Sequence, residues 1–367
     1  MRRHLTKHEL LMALLALAIG VFALACTSQE SPGVGKEEGT QPGVTKPAET
    51  PKAGETPKPA VEKVKIGFVV KQPEEPWFQR EWKFAEQAAQ KHGFELVKLE
   101  ARDSERALAV IDTMAIQGVK GFVICTPDVR LGPQIVAKTQ QKGMKVISVD
   151  DQFVRPDGTF MTDVPYLGIA ARKIGEDVGT ELFKEMQKRG WKPEETGACV
   201  ITWNELDTTR ERTEGAIDSL TKAGFPKERI FTAPQKTSDL EGAFNAGNIL
   251  LTQQSQIKRW LIAGMNDSAV LGAVRAMESK GLGADAVIGI GINGTDCIGE
   301  LAKPNPTGFF GSMLLQSRIH GFVTAEMMYK WVAEGVEPPK DTRTTGILIT
   351  REDFKKILTE QGIKEYK

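Results

Sequence analysis

From residue 64 onward the chain alternates between two hydrophobic patterns. Short, nearly continuous apolar runs lie at 64–70, 94–99, 121–125 and 145–149, then at 198–202, 229–233, 259–264, 287–292 and 308–314. Between them, apolar residues fall at helical spacing over 77–92, 104–117, 166–188, 207–223, 239–253, 266–280 and 317–333. A strand that is apolar throughout must be covered on both faces, so this alternation predicts parallel sheets sandwiched between helices. Right-handed crossovers then make two doubly wound α/β lobes the natural arrangement. The first lobe takes the strands up to Val149 and the second those after Ala198. Thr350 and Asp353 read as a capping box opening a last helix through Leu358. No repeat of solenoid period is present.

In open α/β sheets, ligands sit beyond the carboxyl ends of the strands. Those ends here are Lys71 to Phe78, Cys125 to Asp128, Asp150-Asp151, Asn204 to Asp207, Met265 to Asp267, and Asn293 to Asp296. Any one Asp or Asn at such a place is an ordinary helix cap. Six polar ends drawn from both lobes point to a shared cleft. The first is the richest, because Lys71, Glu74, Glu75, Trp77 and Phe78 are held between Pro73 and Pro76, which stiffen the loop. Ammonium and carboxylate groups suit hydroxyls, and an aromatic face suits the apolar side of a sugar ring.

The N-terminus bears on the compartment. Arg2, Arg3 and Lys7 precede an apolar stretch from Leu10 to Ala25, about 16 residues, too short to span a bilayer comfortably and suited to a secretory signal. It ends in Phe22-Ala23-Leu24-Ala25-Cys26, which resembles the lipobox of bacterial lipoproteins, with Cys26 the residue to be lipidated. Residues 27–61 are rich in Pro, Gly, Thr, Ser, Glu and Lys, the composition of a disordered tether with a mean span of roughly 30 Å. The chain has 48 basic and 48 acidic residues, and removing Arg2, Arg3, Lys7 and Glu9 with the leader leaves 45 and 47. That balance argues against nucleic acid as a partner. Cys125, Cys199 and Cys297 are odd in number and lie in or beside apolar runs, so they read as buried thiols.

Several chemistries fail on inspection. Glu74-Glu75 and Asp150-Asp151 suggest a glycosidase, but neighbours on an extended segment point opposite ways, so neither pair is a catalytic dyad. Beyond the leader only His92 and His320 remain, and no hydrolase triad, His-Glu-x-x-His or zinc spacing can be assembled. Gly289-Ile290-Gly291-Ile292-Asn293-Gly294 matches GxGxxG, but its glycines lie inside an apolar strand and Leu314 stands where an acid is needed. No metal and no cofactor are expected.

With these segments in hand, the chain resembles the periplasmic L-arabinose-binding proteins, a branch of the type I periplasmic binding proteins. The resemblance covers roughly 64–365. It rests on Phe68 to Gln79, Gly121 to Asp128, Val149 to Phe153, Asn204 to Thr208, Gly264 to Ser268 and Gly289 to Gly294. It implies two doubly wound parallel-sheet lobes joined by a three-segment hinge, with crossings near 169, 315 and 347. The boundaries expected are 1–25 for a signal peptide, 26–61 for the lipidated cysteine and tether, 62–169 plus 316–346 for the N-terminal lobe, and 170–315 plus 347–367 for the C-terminal lobe. It also implies a solute-binding protein that hands a monosaccharide to the permease of an ATP-binding-cassette importer, as a monomer.

Carried over by position, Asp151 takes the anomeric hydroxyl, Lys71 and Glu75 take equatorial hydroxyls, and Arg212 reaches the ring oxygen. Asn266 and Asn293 serve the remaining hydroxyls, and Trp77 with Phe78 stacks on the ring. Asp150 lies with these, and Cys125, Leu206, Thr208, Met265 and Asp296 support them. Lys71 is expected to serve Glu75 as well as sugar, and Trp203, next to the site-bearing loop, to be either extra aromatic cover or a partly buried residue of the lobe surface. Ile169 departs from the Met usual among such relatives, which bears on pentose against hexose preference. A secreted sugar-acting enzyme, or a sugar sensor feeding a chemoreceptor, would be the alternatives.

Overall fold

The structure, a computed structural model, describes residues 63–364. The expected signal, Cys26 and the tether lie outside the described residues. The chain first runs β1 (Lys65–Val70), α1 (Pro76–His92), β2 (Glu95–Glu100), α2 (Ser104–Ile116), β3 (Gly121–Ile124), α3 (Gly132–Gln141), β4 (Lys145–Asp150) and β5 (Tyr166–Ile169). It continues as α4 (Ala171–Lys188), β6 (Thr196–Thr202), α5 (Asp207–Lys222), β7 (Ile230–Pro234), α6 (Leu240–Gln253) and β8 (Arg259–Gly264). Next come α7 (Asp267–Ser279), β9 (Val287–Asn293), α8 (Ile298–Leu301) and β10 (Phe309–Leu314). A helix over 319–334 follows, with π turns at Ile319–Val323 and Lys330–Glu334 around α9 (Thr324–Tyr329), then β11 (Asp341–Thr344), β12 (Ile347–Thr350) and α10 (Phe354–Glu360).

Two six-stranded sheets result, ordered β11-β5-β4-β3-β1-β2 and β12-β10-β9-β8-β6-β7. All pairings are parallel except β10 with β12. Each sheet reverses its winding between its first and third strands, β1 and β3 in one, β6 and β8 in the other, which opens a crevice at the carboxyl ends. The apolar runs explain the burial: β1 is buried from Ile66 to Val70, and β6 along its whole length. The chain passes between sheets after β5, after β10, and between β11 and β12.

Three elements depart from the pattern-based expectation. The segment 166–188 is not one helix, because Tyr166–Ile169 is a buried strand between β4 and β11 before α4 starts. Four apolar residues are too few for periodicity to separate strand from helix, and edge pairing decides. The polar strand β11, Asp-Thr-Arg-Thr, carries no apolar signal at all and is defined by its register with β5. At the C-terminus Asp353 accepts from both the backbone N–H and the hydroxyl of Thr350, so the two residues do meet, but the helix starts only at Phe354. Cys125, Cys199 and Cys297 are free and buried.

Candidate functional site

Five strand ends converge on a cavity of about 200 Å³. From the first sheet come Lys71, Glu75, Trp77, Phe78, Asp150 and Asp151; from the second come Leu206, Thr208, Arg212, Met265, Asn266 and Asn293, with Ile169 and Leu315 at the crossings. A wider hollow of about 620 Å³ adjoins it, sharing Asp151, Ile169, Leu206 and Thr208. The buried, convergent polar groups are in the smaller one, so the chemistry points there.

Each side chain is placed by its element. Pro76 opens α1 at its first turn, leaving the Glu75 side chain outside the helix with no capping bond of its own. Partial burial raises the Glu75 carboxyl, opposed by the charge of Lys71. Lys71 Nζ donates to Asp151 Oδ2 at 2.6 Å, both groups about one-quarter exposed. Its partner is therefore Asp151 rather than the expected Glu75. Negative charge on Cys125 at the alkaline end, and Asp151, hold the ammonium above its ordinary range against the cost of burial. The Cys125 thiol, pushed up by burial, sits 3.7 Å from the same Asp151 oxygen.

Trp77 is fixed by Nε1–H donation to Asp150 Oδ2 at 3.1 Å. Burial alone would raise Asp150, yet its contacts with His320 and Trp77 hold it below the usual carboxylate range. Asp150 (φ 64°) and Asn293 (φ 119°) are the two non-glycine residues with positive φ among those described, and both line the cavity. Such backbone costs about 1–3 kcal/mol each and persists where the surroundings over-determine it, commonly at functional sites. Tyr166 reinforces the first, its hydroxyl donating to the Asp150 carbonyl at 2.7 Å.

Across the cleft, Arg212 projects from α5, which lies against α4 through a pair of glycines. A Cβ at Gly175 would meet the Arg212 carbonyl, and one at Gly215 the Arg172 carbonyl. Arg212 Nη1 donates to the Met265 carbonyl at 2.7 Å, while its buried Nε–H has no acceptor in the protein. Burial pulls the guanidinium down to about 10, against the attraction of Asp151, Asp150 and Asp267. A buried unpartnered donor on a residue that lines a cavity calls for an acceptor. Asn266 is both a cap and a site residue: its Oδ1 accepts from Ala269 N–H at 2.9 Å, leaving its amide N–H₂ for the cavity.

Among the remaining expected residues, Phe78 touches the cavity but is largely buried in the first lobe's core. Asp296 is exposed and accepts from Ser268. Trp203 does not line the cavity; it packs partly buried on the second sheet's core, the second of its two expected places. Three groups that carried no expected role in the site also bear on it. Asp267, fully buried, accepts from Ser312 Oγ and from Thr295 and Cys297 N–H, shaping the Asn293 loop. Glu81 and His320 lie buried behind Asp150. His320 was one of only two histidines beyond the leader, in a helical segment directly following a strand, and that was the available signal.

Fold and cleft together define a two-lobed binding protein. The chain belongs to the family described as periplasmic binding proteins and sugar binding domain of the LacI family, whose model matches residues 63–356. It is 54% identical over 303 residues to the L-arabinose-binding periplasmic protein of Escherichia coli (strain K12), covering 82% of this chain and 92% of that one. It is 46% identical over 301 residues, 82% of this chain and 90% of the relative, to an ABC transporter L-arabinose-binding periplasmic protein of Azospirillum brasilense. A solute binding protein of Actinobacillus succinogenes solved with D-allose superposes with a TM-score of 0.67 at 19% identity, covering 80% of this chain and all of that one.

Proposed function

We propose that the protein is the solute-binding component of an ATP-binding-cassette sugar importer, with a monosaccharide of the L-arabinose, D-galactose or D-fucose type as ligand. The observation that carries this is the cavity itself: charged and amide groups from both lobes, beside the indole of Trp77, around a volume suited to one sugar ring. Asp151 accepts from the anomeric hydroxyl, Lys71 and Glu75 serve equatorial hydroxyls, and the unpartnered Arg212 Nε–H reaches the ring oxygen. Asn266 and Asn293 serve the rest, Trp77 covers the apolar face with Phe78 behind it, and Asp150 fixes Trp77. Cys125, Leu206, Thr208, Met265 and Asp296 support these, and Ile169 forms the wall that sets pentose against hexose preference.

Binding favours closure of one lobe (62–169 plus 316–346) on the other (170–315 plus 347–367), and the permease reads the closed form. No bond is broken. The protein works as a monomer outside the cytoplasm, with Cys26 lipidated after removal of residues 1–25 and 26–61 as the tether. Titration calorimetry with L-arabinose, D-galactose, D-fucose and D-xylose tests the reading. Micromolar or tighter binding of at least one of the first three is expected, and absence of heat and of thermal shift with all of them overturns it. Turnover of aryl glycosides abolished by Asp151→Ala would replace it with an enzyme.

A further inference from the structure

Behind the cavity, four side chains from four elements form one buried chain of contacts. Trp77 Nε1–H donates to Asp150 Oδ2 at 3.1 Å, and Asp150 Oδ1 lies 2.6 Å from His320 Nδ1. His320 Nε2 lies 2.9 Å from Thr344 Oγ1, which also lies 3.4 Å from the Gly168 carbonyl. The 2.9 Å contact is the shorter of the two that Thr344 makes, so it is the one that ties His320 to β11, whichever of Nε2 and Oγ1 donates. His320 is fully buried and sits in the π turn at 319–323, a backbone form that concentrates at functional positions.

The ends of this chain are the two things a closing protein must connect. Trp77 lines the cavity. Thr344 is the last residue of β11, two residues before the chain crosses into the second sheet, and Gly168 immediately precedes the crossing at 169–171. Ala170 N–H also donates to the Thr344 carbonyl at 2.8 Å. His320 itself follows the remaining crossing by a few residues.

We propose that His320 is a positioning residue that holds Asp150 and Trp77 in register with the interlobe crossings, so that the orientation of the ring-facing indole and the state of the hinge are set together. Glu81 completes the arrangement. Both its carboxyl oxygens are buried without a protein partner in hydrogen-bond geometry, and it lies 3.9 Å from His320 Nδ1. Burial, then the negative charge of Asp150, raise its carboxyl well above the ordinary range. Gly321 makes the approach feasible, since a Cβ there would collide with the Glu81 backbone carbonyl.

This reading deepens the sugar-binding proposal for that same site, and the experiment separates the two. In unliganded protein, the Trp77 indole ¹⁵N–¹H resonance, assigned by its loss in Trp77→Phe, should shift in both His320→Gln and the isosteric Thr344→Val. That measurement needs no sugar. Stopped-flow binding of whichever sugar the wild type takes up should then show both variants dissociating about five- to tenfold faster, association being nearly unchanged. An unmoved indole resonance in folded Thr344→Val, or unchanged dissociation rates with the resonance shifted, overturns the coupling. Stoichiometric Zn²⁺ binding that Glu81→Gln abolishes would overturn it too, since Glu81, Asp150 and His320 would then be metal ligands.

Discussion

Replacing Lys71 by Met removes a cation in direct contact with Asp151. Methionine keeps the length and most of the apolar stem, so the change reads the ammonium and little else. In the wild type the Nζ–Oδ2 separation is 2.6 Å, with both side chains about one-quarter exposed. Without Lys71, that oxygen keeps the weak Cys125 thiol contact at 3.7 Å. Hydrogen bonds to charged groups contribute about 1.5–3 kcal/mol net, and partial exposure trims the lower end, so sugar affinity should fall by about 1–3 kcal/mol. That is roughly 5- to 150-fold in Kd. Titration calorimetry measures it, with a thermal melt of the unliganded protein to show that the variant is folded. An affinity equal to that of the wild type would remove Lys71 from contact with ligand and refute the pairing argument.

Asn266→Ala should cost twice over, losing amide contacts to sugar and about 0.5–2 kcal/mol of stability from the α7 cap, visible in urea unfolding without ligand. Asp267 is raised to about 6, chiefly by burial. A folded-state pKa above the unfolded one means its contribution is fully present below about pH 4 and is lost as pH climbs through about 6, an amount of about 3 kcal/mol. The stability difference between wild type and Asp267→Asn should therefore change across pH 4–7, and a flat difference refutes the assignment. Gly321→Ala should destabilise by about 1–3 kcal/mol through its collision with Glu81, read from the urea midpoint. Ile169→Met should move the ratio of L-arabinose to D-galactose affinity, since Ile169 is a nearly buried wall of the cavity; an unchanged calorimetric ratio would place the preference elsewhere.

Where the sequence spoke clearly, it did so through uninterrupted apolar runs. β1, β4, β6, β8 and β9 are buried on both faces, and their ends carry the polar residues that meet in the cleft. β11 was silent because an edge strand of polar residues has no hydrophobic period to read. The pairing of Lys71 with Asp151 rather than Glu75 was equally hidden, since 80 residues separate them and only the sheet order brings their strands near each other. Glu81 and His320 were missed for a different reason. A single ionisable residue in an amphipathic helix reads as surface, and only the packing of α1 against the π turn shows that these two face inward together.

The sheet memberships also constrain the order in which this chain can fold as it leaves a ribosome or a secretion channel. The first sheet holds β1 to β5, yet its edge strand β11 and the helix over 319–334 that packs on it arrive only after the whole run from α4 to β10. The first lobe must therefore wait, with one sheet edge and one apolar face open, while nearly 150 residues of the second emerge. Such an intermediate exposes the surfaces that aggregate, and it is the natural substrate for a chaperone. Shortening the chain before Asp341 would damage the lobe at the opposite end of the sequence.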